Sequence, residues 1–139
     1  AESEALAGKR LLLAEDDRLC GEILCELLED ETGRPVSIAA NGRAALEMFE
    51  SANGEYDAII MDVQMPVMNG YEAARAIRRS GCGNAKTVPI IALTADASEE
   101  SARSAADSGM NGCLAKPVNI DRLRKAVAAA LKSLSVAYR

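Results

Sequence analysis

The sequence predicts an α/β fold: a doubly wound (βα)5 three-layer sandwich, with a five-stranded parallel sheet covered by helices on both faces. Five short apolar runs alternate strictly with segments whose apolar residues recur at helical spacing. Most of the runs are continuous, as expected of strands that are buried on both faces. The connections between the units are short, which favours a parallel arrangement with crossover helices.

The elements follow in order along the chain. Strands are predicted at residues 11–14, 36–39, 58–61 and 89–93, with a weaker one at 112–114. Helices are predicted where apolar residues repeat at helical spacing: Cys20, Ile23, Leu24, Leu27 and Leu28; Ala45, Met48 and Phe49; Ala73, Ala74 and Ile77; Ala102, Ala105 and Ala106; Ile120, Leu123, Val127, Leu131 and Leu134. Gly-, Asn- and Pro-containing segments at residues 32–35, 41–42, 69–70 and 81–84 separate these units.

Length and composition indicate one globular domain. The 139 residues are 49% hydrophobic and 27% charged, close to the average of globular proteins. We expect the domain to span residues 9–134, with flexible ends at residues 1–8 and 135–139. No apolar run approaches the roughly 20 residues that a membrane helix needs, and no secretory leader is visible. We therefore expect a cytoplasmic domain without membrane contact, taken from a longer protein.

Charge and residue usage exclude several kinds of function. A net charge of −5 without a basic face argues against nucleic-acid binding. The sequence has no histidine, which removes histidine catalysis and histidine metal ligation. Its four cysteines form no CxxC pair, so we expect small, buried, reduced residues rather than a zinc site. Cys82, between two glycines, is the one expected to be exposed.

Acidic residues follow two of the predicted strands. Glu15, Asp16 and Asp17 come after the first strand, and Asp62 comes after the third. Because ligands bind beyond the carboxyl ends of parallel strands, these carboxylates are expected to lie close together. Their repulsion is relieved by a cation, and an all-oxygen ligand set suits Mg²⁺ or Mn²⁺. An acidic triplet alone is also compatible with a solvated loop that caps the next helix.

Two further polar residues stand at the ends of later strands. Thr94 ends the fourth strand, and Lys116 follows the fifth. A hydroxyl and an ammonium can each donate to the oxygens of a phosphoryl group in transfer. Each residue alone is more often structural, but together with the carboxylates they predict phosphoryl-transfer chemistry.

Four segments resemble the signature segments of receiver domains of two-component systems: LLLAEDD at 11–17, MDVQMPVMNG at 61–70, IALTADA at 91–97 and LAKP at 114–117. The resemblance covers residues 9–134 and needs no insertion. It implies a flavodoxin-like sheet with strand order 2-1-3-4-5. It also implies that a histidine kinase or histidine phosphotransfer domain donates a phosphoryl group, and that the face formed by the fourth helix, fifth strand and fifth helix responds.

The resemblance assigns a metal and an acceptor. It implies that Asp62 is the phosphoacceptor and a metal ligand, that Asp16 binds the metal directly, and that Glu15 binds it largely through water. The Gln64 backbone carbonyl is the fourth implied ligand. Asp17 matches no ligand of the family and is left out of the site.

The resemblance also assigns the residues that hold the phosphoryl group. Thr94 is the implied switch hydroxyl, the Ala95 amide helps hold the group, and Lys116 pairs with it through a cis Lys116–Pro117 bond. The family usually carries Tyr or Phe three residues before the lysine, where this chain has Cys113. We therefore expect a smaller rearrangement than the family's usual one.

Several readings of the sequence compete. The segments ALTADA at 92–97 and Gly109-Met110-Asn111 are most like receivers of hybrid sensor histidine kinases, although Cys20 stands where these often carry Asn. A stand-alone receiver, or a degenerate receiver used for docking, remains an alternative. An aspartyl-phosphate phosphatase would need an acid at Gln64, and a flavin-binding module would need phosphate-binding residues in place of the acidic triplet. Whether the domain counts as an enzyme stays open, because a receiver catalyses only its own phosphorylation and dephosphorylation.

Overall fold

The computed structural model describes residues 6–96 and 98–137, except for the side chains of residues 132–137. The strands are β1 (Leu11–Ala14), β2 (Ser37–Ala39), β3 (Ala58–Asp62), β4 (Ile90–Thr94) and β5 (Gly112–Ala115). The helices are α1 (Arg18–Thr32), α2 (Gly42–Ser51), α3 (Gly70–Arg79), α4 (Glu99–Asp107) and α5 (Ile120–Ala137). All strand pairs are parallel, in the order β2-β1-β3-β4-β5. The predicted architecture and strand order are confirmed.

The sheet separates two hydrophobic clusters. Alternate residues of each strand point to opposite faces, so Leu12 joins one cluster while Leu11 and Leu13 join the other. Helices α2, α3 and α4 supply buried side chains to the Leu12 face, and α1 and α5 supply them to the other. Their shares are unequal, since α4 contributes only Ala105. The double winding of helices around the sheet is therefore present.

Side-chain caps fix where the helices begin beside the carboxyl edge of the sheet. The Asp17 carboxylate accepts from the Cys20 amide at 3.0 Å, which starts α1 directly after the acidic pair. Asn69 and Glu72 form a reciprocal capping box at the start of α3. Gly70, which follows Asn69, packs so tightly that a Cβ atom at this position would lie 2.4 Å from the Asp62 carbonyl oxygen. The loop after β3 is thereby held against the end of its own strand.

Several boundaries of the helices and strands differ from the predicted ones. Leu6 is 1% exposed and packs in the core, whereas Ala7 and Gly8 are exposed, and the flexible end at residues 1–8 stays a prediction. Helix α5 continues to Ala137, past the start of the predicted flexible end at residues 135–139. Residues 1–5 and 138–139 lie outside the described part of the chain. Strand β3 gains Asp62, β4 gains Thr94, and β2 begins one residue later than predicted.

The cysteines depart from the prediction that they are small buried residues. Cys20 is exposed because it lies in the first turn of α1 on its solvent side. Cys25, Cys82 and Cys113 are half-buried, and all four thiols are free. Cys82 is less exposed than expected because it packs against the cluster on the Leu12 face.

Helix α1 exposes part of its predicted apolar stripe. Leu24 and Leu28 are buried, whereas Leu19, Ile23 and Leu27 are 66%, 54% and 42% exposed. These three lie four residues apart and therefore form one outward row. We call Leu19, Ile23 and Leu27 the outer α1 row. None of the described helices is both long enough and apolar enough to cross a membrane.

Arg78 of α3 connects the loops at the opposite edge of the sheet. Its guanidinium donates to the carbonyl oxygens of Gly109, Ala85 and Val88 at 2.7–3.0 Å. It also donates to the Asn111 side-chain oxygen at 2.9 Å, and that oxygen accepts from the Ile90 amide as well. Burial lowers the pKa of this guanidinium. One side chain thus joins α3, the loop before β4 and the turn after α4.

Candidate functional site

Three carboxylates meet at the carboxyl edge of the sheet. Glu15 directly follows β1 and Asp62 ends β3; both residues are 4% exposed. Asp16 is exposed, and one oxygen from each of the three residues lies within 4.8 Å of the others. The parallel register explains the meeting, because Ala14 pairs with Met61, one residue before each buried acid. The structure therefore brings together three of the predicted metal-binding residues.

Lys116 joins the two buried acids. Its Nζ donates to Asp62 Oδ2 at 2.8 Å and to Glu15 Oε1 at 3.0 Å. The side chain follows β5 and precedes a cis Lys116–Pro117 bond. A single ammonium therefore compensates two carboxylates that have little access to water.

These contacts change proton binding at the site. Burial, followed by the hydrogen bond with Asp62, raises the pKa of Glu15 to about 7. Burial alone would lower the pKa of Lys116, but its hydrogen bonds to Asp62 and Glu15 outweigh that effect and raise it. Lys116 thus stays cationic at neutral pH, while Glu15 exchanges a proton in the physiological range.

The donor set fits a hard divalent cation. Every ligand atom that Glu15, Asp16 and Asp62 offer is a carboxylate oxygen, which is what Mg²⁺ prefers. The fourth implied ligand, Gln64, lies in the same place: its amide donates to Asp62 Oδ1 at 3.4 Å. Asp16 and Gln64 face an open cleft of about 550 Å³. The sequence reasoning missed the other residues that line this cleft: Val63, Met65, Asn69 and Tyr71.

The sequence contains part of the information that identifies these missed residues. Met65 and Asn69 belong to the segment that resembles a receiver signature, and Tyr71 follows it directly. Their side chains carry no charge, however, and reasoning from ionisable groups passes over them. Only the folded structure, in which the start of α3 lies beside the acids, shows that these residues line the same cleft.

Thr94 lies at the expected strand end but has another partner. Its hydroxyl donates to the Asp96 carbonyl oxygen and accepts from the Asp96 amide, both at 3.2 Å. The structure therefore places Thr94 next to the site without bonding its hydroxyl to Asp62. Ala95, whose amide was predicted to hold the phosphoryl group, is exposed directly after β4. Thr94 and Asp96 thus form a short hydrogen-bonded turn directly after β4.

Cys113 stands on β5 opposite Ala92. It is half-buried and packs against the same cluster as Ala92 and Tyr71. Burial, followed by the negative charge of Asp96, raises the pKa of its thiol. Cys113 therefore acts as a small neutral side chain at the position where the resemblance expects a ring.

Magnesium affinity should depend on pH through Glu15. Below about pH 7 the cation must displace a proton from this carboxyl group, so its dissociation constant should fall about tenfold per pH unit and level off above. Titration calorimetry in buffers of different ionisation enthalpy would count the released proton. Glu15→Gln should remove the pH dependence. An equal affinity of the wild type at all pH values would contradict this prediction.

The same pKa shift affects the metal-free domain. The folded state holds the Glu15 proton more tightly than the unfolded state, which binds it with the ordinary value of 4.5. The free energy of unfolding should therefore decrease as the pH rises from 4.5 to about 7, and Mg²⁺ should offset the loss. Urea unfolding with a chelator and with Mg²⁺ would measure both effects.

Comparison with known proteins agrees with this geometry. A probable histidine kinase of Oryza sativa is 36% identical over 138 residues, which cover 91% of this chain and 13% of the rice protein. The chain spans between 6% and 16% of the length of several such relatives. The receiver domain of a Pseudomonas aeruginosa sensor histidine kinase, solved with magnesium in its active-site cleft, is 36% identical. It has a TM-score of 0.73, and the match covers 91% of this chain and 99% of that one.

A second solved structure contains a partner. The receiver domain of a Saccharomyces cerevisiae response regulator, crystallised with a histidine phosphotransfer protein, is 32% identical with a TM-score of 0.76. That match covers 88% of each chain. The family model of the response regulator receiver domain matches residues 11–128, most of the chain. The protein therefore belongs to the family of response regulator receiver domains.

Proposed function

We propose that this domain accepts a phosphoryl group on Asp62 from the phosphohistidine of a histidine kinase or histidine phosphotransfer domain. One observation carries the proposal. Lys116 bonds the buried Asp62 at 2.8 Å while Glu15 and Asp16 offer further oxygens beside it. A nucleophilic carboxylate, a fixed ammonium and an acidic cation site are the parts that phosphoryl transfer needs.

The residues of the site act in successive steps of the proposed reaction. An Asp62 carboxylate oxygen attacks phosphorus as the phosphorus–nitrogen bond of the phosphohistidine breaks, and the imidazole leaves with the bonding electron pair. Lys116 then pairs with the phosphoryl oxygens, and the Thr94 hydroxyl and Ala95 amide hold the others. Hydrolysis by water returns the Asp62 carboxylate and inorganic phosphate.

A divalent cation belongs to this site. Asp16 and Asp62, with Glu15 through water and the Gln64 carbonyl, would hold Mg²⁺ or Mn²⁺. When bound, the cation neutralises charge on the transferring phosphoryl group. The carboxylates support this assignment because one oxygen of each lies within 4.8 Å of the others. Three carboxylates carry more negative charge than the single ammonium of Lys116 neutralises.

The parent protein is proposed to be a hybrid sensor histidine kinase that carries this domain in the cytoplasm. Its support is the match to one section of much longer histidine kinases. A stand-alone regulator would use the same site. A docking module without phosphorylation is disfavoured, since the acceptor, the acidic pair and the lysine are all present and in contact.

Intact mass spectrometry after incubation with Mg²⁺ and acetyl phosphate tests the acceptor. We expect one acid-labile phosphate on the wild type and none on Asp62→Asn. Asp57→Asn is a matched control, because that carboxylate precedes the same strand at its other end and bonds the Arg10 amide. A wild type without phosphate, or a phosphorylated Asp62→Asn, would show that the acceptor is misassigned.

The outer α1 row offers the phosphoryl donor a place to dock. It borders a mainly apolar groove of about 460 Å³ whose lining includes Ile23, Leu27, Glu15 and Lys116. A donor that brings its phosphohistidine to Asp62 must cover this rim. Ile23→Glu should therefore slow transfer from a phosphorylated histidine phosphotransfer domain about tenfold.

Acetyl phosphate provides the internal comparison for this prediction. It is small enough to reach Asp62 without docking, so its rate with Ile23→Glu should match that of the wild type. Ile38→Glu is a control, because Ile38 is 41% exposed but lies on the edge strand β2. Equal transfer rates for the wild type and Ile23→Glu would place the donor on another surface.

A further inference from the structure

Tyr71 stands between the acid cleft and the face of α4 and β5. It is the second residue of α3 and lines the cleft together with Asp16 and Gln64. Its half-buried ring also packs against the cluster that Cys113 contacts. Burial, and then the neighbouring Cys113 and Glu100 side chains, raises the pKa of its hydroxyl.

The other described aromatic residues cannot take this position. Phe49 and Tyr56 stack on each other with their centroids 6.3 Å apart. Tyr56 precedes β3, so this pair lies at the amino edge of the sheet, opposite the acids. Of the described rings, Tyr71 alone contacts the cleft.

A chain of neighbours leads from Thr94 to this ring. The Thr94 hydroxyl is bonded to the Asp96 backbone. Thr94 also pairs with Ala115 of β5, two residues after Cys113, and Cys113 packs against the same cluster as Tyr71. A phosphoryl group on Asp62 offers Thr94 a better acceptor, and turning towards it breaks both bonds to Asp96. The loop that leads into α4 is then free to move beside Tyr71.

We infer that Tyr71 is the positioning residue through which the occupied acid cleft acts on α4. Its ring lines the cleft and packs against the cluster that contains Ala105 of α4 and that Cys113 of β5 contacts, and the Cys113 thiol is smaller than the ring that the family usually carries there. When the loop after Thr94 moves, the ring repacks against Cys113 and α4 shifts with it. This inference rests on the proposed function, because it needs a phosphoryl group or its mimic on Asp62.

Hydrogen exchange of the α4 amides with Mg²⁺ and beryllofluoride tests the inference. Relative to the wild type, Tyr71→Leu should lose roughly half or more of the change in α4 protection. Tyr71→Phe, which keeps the ring, should retain the change. A full response in Tyr71→Leu, or an equal loss in Tyr71→Phe, would overturn the role of the ring.

A spectroscopic readout separates coupling from a purely structural role. In protein labelled with 3-fluorotyrosine, the Tyr71 resonance, assigned with Tyr71→Phe, should shift when beryllofluoride binds, whereas that of Tyr56 should not. A stationary Tyr71 resonance would contradict the inference. Bound beryllofluoride gives its own fluorine signal: its absence from the wild type means that the proposed function fails, while its presence with an unchanged α4 response in Tyr71→Leu means that only this inference fails.

Discussion

Arg78→Met is expected to destabilise the domain by about 3 kcal/mol or more. The substitution keeps an apolar stem but removes all of the guanidinium hydrogen bonds to Gly109, Ala85, Val88 and Asn111. These acceptors belong to two loops that no other described side chain joins to α3 in this way. The loss of a charged donor is costly because Ala85 and Val88 are buried, so their carbonyl oxygens are poorly placed to recruit water. Urea unfolding measures the change.

Arg79 provides the matched control. It is the next residue of α3 and is exposed, so Arg79→Met should change the free energy of unfolding by less than about 0.5 kcal/mol. Arg78→Lys should fall between the two, since lysine keeps the charge but cannot reach four separated acceptors. If Arg78→Met and Arg79→Met were equally stable, the hydrogen bonds of Arg78 would carry no net stabilisation.

Lys116→Met should change phosphorylation and metal binding in opposite directions. Without the ammonium beside Asp62, labelling by acetyl phosphate should fall about a hundredfold, because the transferring group loses a fixed donor. The same loss removes a positive charge that repels a divalent cation. The affinity for Mg²⁺ should therefore rise, on the order of tenfold, when measured well above the pKa of Glu15.

Lys125→Met is the control for general charge effects, because Lys125 is an exposed lysine of α5. It should leave the labelling rate and the Mg²⁺ affinity unchanged. A fall of both quantities in Lys116→Met would indicate that the variant has lost the geometry of the site rather than one charge. Thermal unfolding with saturating Mg²⁺ distinguishes that outcome from a local effect.

The fold and the acidic site could be predicted because their signals are local. A run such as Leu11–Ala14 identifies a doubly covered strand by itself, and the carboxyl ends of parallel strands must share an edge. Glu15, Asp62 and Lys116 are therefore brought together by topology alone.

The rest depends on contacts that no short window of sequence contains. Arg78 and Arg79 are adjacent and chemically alike, and only a turn 31 residues away decides which one is buried. Periodicity marks Ile23 and Leu24 equally as apolar, yet only Leu24 packs into the cluster under α1, and Ile23 is 54% exposed. The hydrogen bonds between Thr94 and Asp96 could not be predicted either. The sequence of a loop indicates its turn residues but not which hydrogen bonds the loop forms.

Helix α4 is well suited to transmit a change at the site by moving. It keeps a single small side chain, Ala105, in the core, whereas α3 keeps Ala73, Ala74 and Ile77. Displacing α4 therefore exposes little apolar surface, so we expect a few new hydrogen bonds at Asp62 to be enough to shift its position. Because α4 buries the least apolar surface, its movement can transmit a signal with the smallest loss of folding free energy in the rest of the domain.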